Sequence, residues 1–202
     1  MNSELHTFLR SRRSIRHFKP ERVSEAILRQ ILETATFAPS AHNKQPWRFI
    51  VLTNSEIKLK LAYAITKKFR FDMTADGVVE TDIQTRIDRT IRRTDEAPVI
   101  VVLCRDMSQI TAQPDESRQQ AEITMDIQSV AVAGLQLLLA AHAEGLGGTW
   151  ICWPLFAREE TRLVLDLPLE WEPQGMVFLG IPDEEPALPE KRPFTEVVHF
   201  LS

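Results

Sequence analysis

Several hallmarks of common protein classes are missing from this chain of 202 residues. Only two cysteines are present, Cys104 and Cys152, which are too few for a disulfide framework and have no metal-ligand spacing around them. Each lies in an apolar run, where a cysteine usually behaves as a small buried hydrophobic residue. Charges of both signs are interleaved and the formal net charge is −4, so no nucleic-acid partner is predicted. The cysteine content is typical of a reduced, cytoplasmic protein.

Targeting and membrane-spanning segments are also missing from the pattern. The opening residues, MNSELHTFLRSRRS, have no apolar stretch behind their basic residues, so no secretory signal is expected. The most apolar segment, Ile127–Ala143, is interrupted by Gln128, Gln136 and His142 and is shorter than the ~20 apolar residues that a spanning helix needs. We therefore predict no membrane partner, and we interpret His142 as a core residue rather than a ligand.

The sequence motifs of several enzyme classes do not occur. There is no G-x-S-x-G nucleophile elbow, no P-loop and no H-E-x-x-H zinc motif. The five histidines are scattered without ligand spacing, so no metal site is predicted. The glycine-rich stretch 145–148 follows a predicted helix and precedes a predicted strand, which is the reverse of a dinucleotide-binding turn.

What is present is the composition of an ordinary globular domain, 44% hydrophobic and 26% charged. The length fits a single domain spanning residues 1–202. Apolar runs and spacings predict strands and helices. The predicted strands cover 47–52, 98–104, 149–153 and 174–181, and the predicted helices cover 24–38, 54–72, 79–93, 119–144 and 158–165.

The longest predicted helix and the end of the chain both indicate a partner surface. The helix is apolar on nearly every side from Ile127 onward, so either this domain or a second subunit must surround it. Four prolines follow residue 181, which predicts an extended arm over 180–202. This arm ends in an apolar tail, and another subunit is a natural partner for it.

Two polar segments in the first quarter of the chain could bind a ligand. The first, Arg12-Arg13-Ser14-Ile15-Arg16, is suited to a phosphate because guanidinium forks match phosphate oxygens. An exposed basic turn would have the same composition. The second is the loop 38–47, whose polar side chains could grip the edge of a planar heterocycle. Those side chains could equally satisfy the loop's own backbone.

Two further segments occur later in the chain. The stretch Gly145-Leu-Gly-Gly148 permits close approach of a ligand to the backbone, and it also suits the end of a helix. The pair Lys191-Arg192 could fold back to complete a phosphate site, or could be a solvated pair of charges on the arm.

In this order the four segments resemble the nitroreductase family of FMN-dependent oxidoreductases. The matching stretches are RRSIRHF, APSAHNKQPWRF, GLGGTW and KRPFTEVVHF, and together they extend over almost the whole chain. The stretches FRFDMTADG and RQQAEITMDIQSVA are similar, more narrowly, to the FMN-binding C-terminal domain of the deazaflavin-coenzyme γ-glutamyl ligase. Only that domain is matched, so ligation itself is not implied.

The resemblance implies a fold and an assembly. The expected fold is α+β, with a mainly antiparallel sheet of four or five strands flanked by helices. Two chains would form an intertwined homodimer, with an FMN site at the subunit interface and the arm 180–202 reaching the partner subunit.

The resemblance also implies the residues of the FMN site. The phosphate and ribityl chain would be met by the first segment, through Arg12, Arg13, Ser14 and Arg16. The ring would be reached from the other subunit by Pro39, Ser40 and Ala41, with Asn43 and Gln45 nearby. Backbone amides near the ring's reactive edge would come from Gly147 and Gly148, and the phosphate would also meet Lys191 or Arg192. On the substrate side the candidates are Asp72 and His42.

The function implied by the resemblance is ping-pong hydride transfer from NAD(P)H through FMN. The acceptor would be a nitroaromatic, a quinone or a deazaflavin-type compound. No side chain is expected to act as a catalytic acid or base, because the cofactor carries the redox chemistry. The alternative is a flavin- or deazaflavin-binding protein without turnover, used for sequestration or sensing, since no NAD(P)H site is identifiable in the sequence.

Overall fold

The computed structural model describes residues 3–201. In that range the strands are β1 (Trp47–Leu52), β2 (Val99–Asp106), β3 (Gly147–Ile151) and β4 (Trp171–Gly180). The longer helices are α2 (Glu25–Thr36), α3 (Ser55–Ala75), α4 (Glu80–Glu96) and α5 (Glu116–Ala143). The shorter ones are α1 (Ser3–Ser11), α6 (Trp153–Phe156), α7 (Arg158–Val164) and α8 (Phe194–Val197).

The four strands form one sheet in the order β1-β2-β4-β3, and every neighbouring pair is antiparallel. This confirms the predicted α+β class and the mainly antiparallel sheet. A short bridge between Ser14 and Gly148 runs parallel along the outer edge of β3. It fixes the N-terminal arginine segment against the sheet.

Strand β2 is buried along its whole length, because an apolar cluster covers each face of the sheet. On one face Val99, Val101 and Leu103 pack among residues of α2 and α5. On the other face the alternate residues of β2 pack against side chains of α3. This period of two is what a strand covered on both faces requires.

The two cysteines differ in their surroundings. Cys104 is fully buried in β2, and burial raises the pKa of its thiol to about 12, so the thiol stays protonated. This confirms its interpretation as a small hydrophobic residue. The same expectation was wrong for Cys152, whose side chain is exposed because the chain leaves β3 there to enter α6.

The helix ends follow the polar residues expected of caps. The Ser24 hydroxyl accepts a hydrogen bond from the Ile27 amide, and the Asn54 side chain accepts one from the Ile57 amide at 3.1 Å. Helix α5 begins at Glu116, three residues before the predicted start, because Asp115 caps it. It ends where Gly145 takes a φ of +73°, which glycine adopts without strain.

Helix α5 lies with one face on the sheet and leaves apolar side chains on the other. Ile127, Val132 and Leu135 are 36%, 39% and 50% exposed. By length and composition alone this helix could also cross a membrane, although it contributes Glu122 and Asp126 to the buried polar residues. The single chain therefore does not surround α5 on all sides.

Candidate functional site

A cleft of about 440 Å³ lies beside several of the predicted site residues and is within the usual size range of small-molecule sites. It lies where the end of α5 meets the N-terminal segment, the start of β3 and the arm that follows β4. The side chains and backbone that matter for its chemistry belong to Arg12, Arg13, His142, Gly147, Gly148 and Glu184. Throughout, we call this feature the arginine cleft.

The two arginines of the cleft are placed differently. Arg13 is held by its own backbone, because its Nη1 donates to the carbonyls of Arg10 and Arg12 at 2.6 and 2.8 Å. Within residues 3–201 the guanidinium of Arg12 forms no hydrogen bond or ion pair. A partly buried guanidinium without an acceptor is a ready ligand for an anion.

The next residues tie the arginine cleft to the sheet and to the arm. The Ile15 amide donates to the Gly148 carbonyl at 3.1 Å. The amides of Arg16 and His17 both donate to the carboxylate of Glu184. Glu184 thereby fixes the first residues of the arm against the N-terminal segment.

Arg16 itself does not line the arginine cleft. Its Nη1 lies 3.4 Å from the Ser14 carbonyl. Burial and, after it, the charges of neighbouring arginines that include Arg16 lower the pKa of Arg93. The guanidinium of Arg16 therefore lies toward the end of α4.

The two glycines at the start of β3 lie where other side chains of the protein pack closely against the backbone. A Cβ on Gly147 would lie 2.7 Å from the Ile15 side chain, and a Cβ on Gly148 would lie 2.8 Å from Leu138. Both positions thus admit only glycine because protein packs against them. Their backbone still borders the arginine cleft.

The loop 38–47 has an unusual backbone. His42, Asn43 and Gln45 have φ values of 52°, 54° and 51°, in the left-handed region that non-glycine residues seldom occupy. The Ser40 hydroxyl accepts a hydrogen bond from the Gln45 amide at 3.0 Å and closes the turn. Strained conformations of this kind persist only where the surroundings hold them, and they cluster at binding sites.

Helix α5 supplies that support from one face. The Glu122 carboxylate binds Lys44 Nζ at 2.7 Å, and the Ser129 hydroxyl accepts from the Ala41 amide at 3.2 Å. The Ser129 hydroxyl itself donates a hydrogen bond to the Met125 carbonyl. These contacts hold the loop at both ends of its short 3₁₀ turn, Ala41–Asn43.

Between those two anchors on α5 lies a buried carboxyl group, Asp126, that the sequence did not reveal. Asp126 is 1% exposed and its Oδ2 has no partner in the described part of the chain, nor has Nη1 of the buried Arg105. Burial raises the pKa of Asp126, opposed by the charges of Lys44 and Arg105. Nε of Arg105 binds Glu172 at 2.8 Å. The only sequence signal was an arginine at the end of an apolar strand.

We expect Ser129→Ala to loosen this loop. The variant leaves the Ala41 amide without its acceptor, a loss of about 1 kcal/mol, or about fivefold in local opening. Hydrogen exchange over residues 38–47 measures it. Thr124→Ala is the matched control, because Thr124 makes the same bond to the carbonyl four residues earlier but does not touch the loop. Equal exchange in the two variants would show that Ser129 does not hold the loop.

The loop and the arginine cleft are separate within one chain. Ser129, which binds the loop, precedes His142, which lines the cleft, by 13 positions on α5, or about 20 Å along the helix axis. Pro39, Ser40 and Ala41 instead border a shallow hollow of about 200 Å³ beside Ser129 and Val132.

The remaining predicted residues lie away from the arginine cleft. Asp72 pairs with Lys68 on α3, a helix that packs on the opposite face of the sheet from α5. His42 is exposed at the tip of the loop. Lys191 and Arg192 are exposed on the arm and form no ion pair within the part of the chain that the structure covers.

His142 belongs to the arginine cleft although the sequence suggested a core residue. It is half-buried, it stacks on Phe8 at 4.9 Å between ring centroids, and its Nε2 lies 2.8 Å from the Ser11 hydroxyl. Its neighbours on α5 are apolar, which is why the pattern indicated the core. Over residues 3–201 no group of three or more acidic, histidine or cysteine side chains could hold a metal ion.

The family model described as the nitroreductase family matches residues 9–181. The Bacillus subtilis protein YfhC, which bears the name of an NAD(P)H nitroreductase, is 30% identical over 97% of this chain and 95% of its own length. A BluB-like flavoprotein from Clostridium difficile 630 superposes with a TM-score of 0.81 at 26% identity, covering 98% of this chain and 99% of that one. A Desulfovibrio desulfuricans protein in complex with FMN superposes with a TM-score of 0.77 at 24% identity, covering 100% of this chain and 99% of that one.

Proposed function

Because the chain belongs to the nitroreductase family, we propose that it binds FMN and acts as an NAD(P)H-dependent oxidoreductase. The observation that carries the proposal is the arginine cleft, where the guanidinium of Arg12 is free and that of Arg13 is held in place beside it. Two guanidiniums at the rim of a cleft of this size, one of them held in place by backbone carbonyls, suit a phosphate monoester attached to a larger group.

The residues present fit FMN in one chain only in part. Arg12, Arg13 and Ser14 would hold the phosphate and the ribityl chain, and Arg16 would need to turn from the end of α4 to join them. The backbone of Gly147 and Gly148 would lie beside the ring. Lys191 or Arg192 would meet the phosphate after the arm folds back over the cleft, since Glu184 already fixes its beginning.

The rest of the site would come from a second copy of the chain. The strained loop with Pro39, Ser40 and Ala41 contacts α5 at Ser129. That contact is about 14 Å along the helix axis from Leu138, the first α5 residue that lines the arginine cleft, so the loop would serve the cleft of the partner subunit. Asn43 and Gln45 would accompany it. The exposed apolar residues of α5 and the apolar end of the arm would be covered in the same homodimer. Light scattering should then show a particle of two chains.

When bound, FMN supplies the hydride chemistry, taking electrons from NAD(P)H and passing them to the acceptor. The protein's part is to fix the phosphate, to orient the ring with backbone groups and to shield it from water. A nitroaromatic, a quinone or a deazaflavin-type compound would be the acceptor, with Asp72 and His42 on the substrate side. The deazaflavin class is included because the stretch 69–77, which contains Asp72, and the stretch 118–131 resemble the deazaflavin ligase domain.

Stopped-flow reduction tests the enzyme against the alternative of a binding protein without turnover. We expect NADH or NADPH to bleach the oxidised flavin within seconds under anaerobic conditions, and an added quinone or nitroaromatic to restore it. Double-reciprocal plots should give parallel lines if donor and acceptor use the same place in turn. A flavin that binds but is bleached by neither nucleotide nor by a reduced deazaflavin would favour the binding protein.

We place the protein in the cytoplasm, in keeping with its two cysteines, which form no disulfide.

A further inference from the structure

His142 is the one titratable side chain of α5 that lines the arginine cleft. It sits in the last turn of the helix, and the Phe8 ring stacks on its imidazole. Its Nε2 and the Ser11 hydroxyl are 2.8 Å apart, so α1 and α5 are joined at the rim of the cleft. Nothing in the redox chemistry described above uses this imidazole.

The hydrogen bonds of Ser11 determine which imidazole nitrogen carries the proton. The hydroxyl has one proton to donate. Its oxygen lies 2.8 Å from the Phe8 carbonyl oxygen, which can only accept. If the hydroxyl donates there, its oxygen is free to accept, so Nε2 of His142 donates to it. Both contacts are then satisfied in the neutral ring. The nitrogen left to titrate is Nδ1, and protonating it leaves the Ser11 contact intact.

The charges around the ring oppose that protonation in the ligand-free protein. Burial and, after it, the charges of Arg12 and Arg13 lower the pKa of His142. On the opposing side, Glu184 and Glu185 of the arm line the same cleft. Glu184 is occupied by the two backbone amides of Arg16 and His17, and Glu144 at the end of α5 binds Gln30. Of the charged groups around the cleft, the guanidiniums of Arg12 and Arg13 act most on the ring.

A phosphate dianion between these guanidiniums would reverse the field at the ring. It would neutralise the repulsion from Arg12 and Arg13 and place negative charge on the same side of the cleft. Resting on the FMN function proposed above, we propose that His142 is a further member of the phosphate site and takes up a proton at Nδ1 when the phosphate of FMN enters. The contribution of His142 to phosphate affinity then rises as the pH falls through the titration of this histidine.

The sign of the linkage separates His142 from the ligand's own titration. The arginines prefer the dianion, so a phosphate monoester with a second pKa near 6 tends to release protons on binding. His142 takes protons up. The difference between wild type and a variant without the imidazole isolates the contribution of His142, because the phosphate term is common to both.

Calorimetry of FMN binding to the wild type and to His142→Gln, in two buffers with different heats of ionisation near pH 7, measures this difference. Glutamine can still donate to Ser11. We expect the wild type to take up more protons per FMN than the variant, by up to about one. With riboflavin, which lacks the phosphate, the two proteins should agree. Equal proton uptake with FMN, or the same difference with riboflavin, would overturn the proposal.

Nuclear magnetic resonance of the His142 ring in the wild type gives a second measurement that does not depend on the variant. The pKa of His142 should rise on addition of FMN and of inorganic phosphate, and should not move with riboflavin. Ser11→Ala keeps the imidazole and should keep this response. If adding FMN to the protein causes no change in flavin absorption and no heat of binding, the proposed function fails. Inorganic phosphate then still decides the role of His142, and an unmoved pKa would refute it.

Discussion

Replacing Arg12 and Arg13 together by alanine should weaken FMN binding by roughly 10²–10⁴-fold. Each hydrogen bond between a guanidinium and a phosphate contributes about 1.5–3 kcal/mol, and every 1.4 kcal/mol changes affinity about tenfold. The free guanidinium of Arg12 should account for the larger share, because that of Arg13 already bonds to two carbonyls. Fluorescence titration of the ligand-free protein with FMN measures the loss.

The matched control for this variant removes two arginines elsewhere. Arg29 and Arg118 are exposed and pair with Glu25 and Asp115 on their own helices. Their joint replacement by alanine changes the net charge equally and should leave FMN affinity within about twofold, because exposed pairs of this kind contribute little. If the two double variants bind FMN alike, the phosphate is not held in the arginine cleft.

Gly134→Ala should destabilise the fold by about 1–3 kcal/mol or more, although alanine is the better helix former. A Cβ at this position of α5 would overlap the Trp150 indole and lie 3.1 Å from the Leu103 side chain. The indole of Trp150 also packs on Gly175 of β4, where a Cβ would lie 2.8 Å away. With no room on either side, the helix must move off the sheet.

Thermal unfolding tests this prediction, with a fall in Tm of roughly 2–12 °C expected for a domain of this length. Trp150→Leu shortens the side chain that occupies the space, so the double variant Gly134→Ala, Trp150→Leu should lose less than the sum of the two single losses. A single variant as stable as the wild type, or strictly additive losses, would mean that α5 and the sheet do not pack this closely.

Local sequence signals predicted the parts of the fold in which local and tertiary preferences agree. Strand β1 has the predicted bounds, 47–52, because its apolar run lies between turn residues. Helix α2 begins after the predicted Ser24 cap. Strand β4 starts at Trp171, three residues before the predicted start, and Pro173 lies in this added part. It is tolerated there since the register of β2 shifts at the opposite residue, Cys104.

Contacts between distant residues could not be predicted from one sequence. Glycine has a poor helix preference, and the presence of Gly134 in α5 is explained only by the Trp150 indole that lies against it. Strand β3 begins at Gly147 because pairing with Gly180 and Leu179 outweighs the poor strand preference of glycine. The imidazole of His142 reaches a cleft because α1 docks beside it.

The sequence identified the segments of the candidate site, but not how these segments are arranged in space. The resemblance of the sequence indicated the N-terminal arginines, and the structure places Arg12 and Arg13 at the rim of one cleft with Gly147 and Gly148. It also places the loop with Ser40 against the middle of α5, outside that cleft. Those two observations are the physical basis for a site shared by two chains.

The visible absorption spectrum of the purified protein tests the central claim most directly. The account predicts the two bands of oxidised flavin, and it predicts that denaturation releases FMN in an amount equal to the chain. A protein that is colourless as purified should acquire those bands when FMN is added. A colourless protein that also takes up no added FMN would contradict the account.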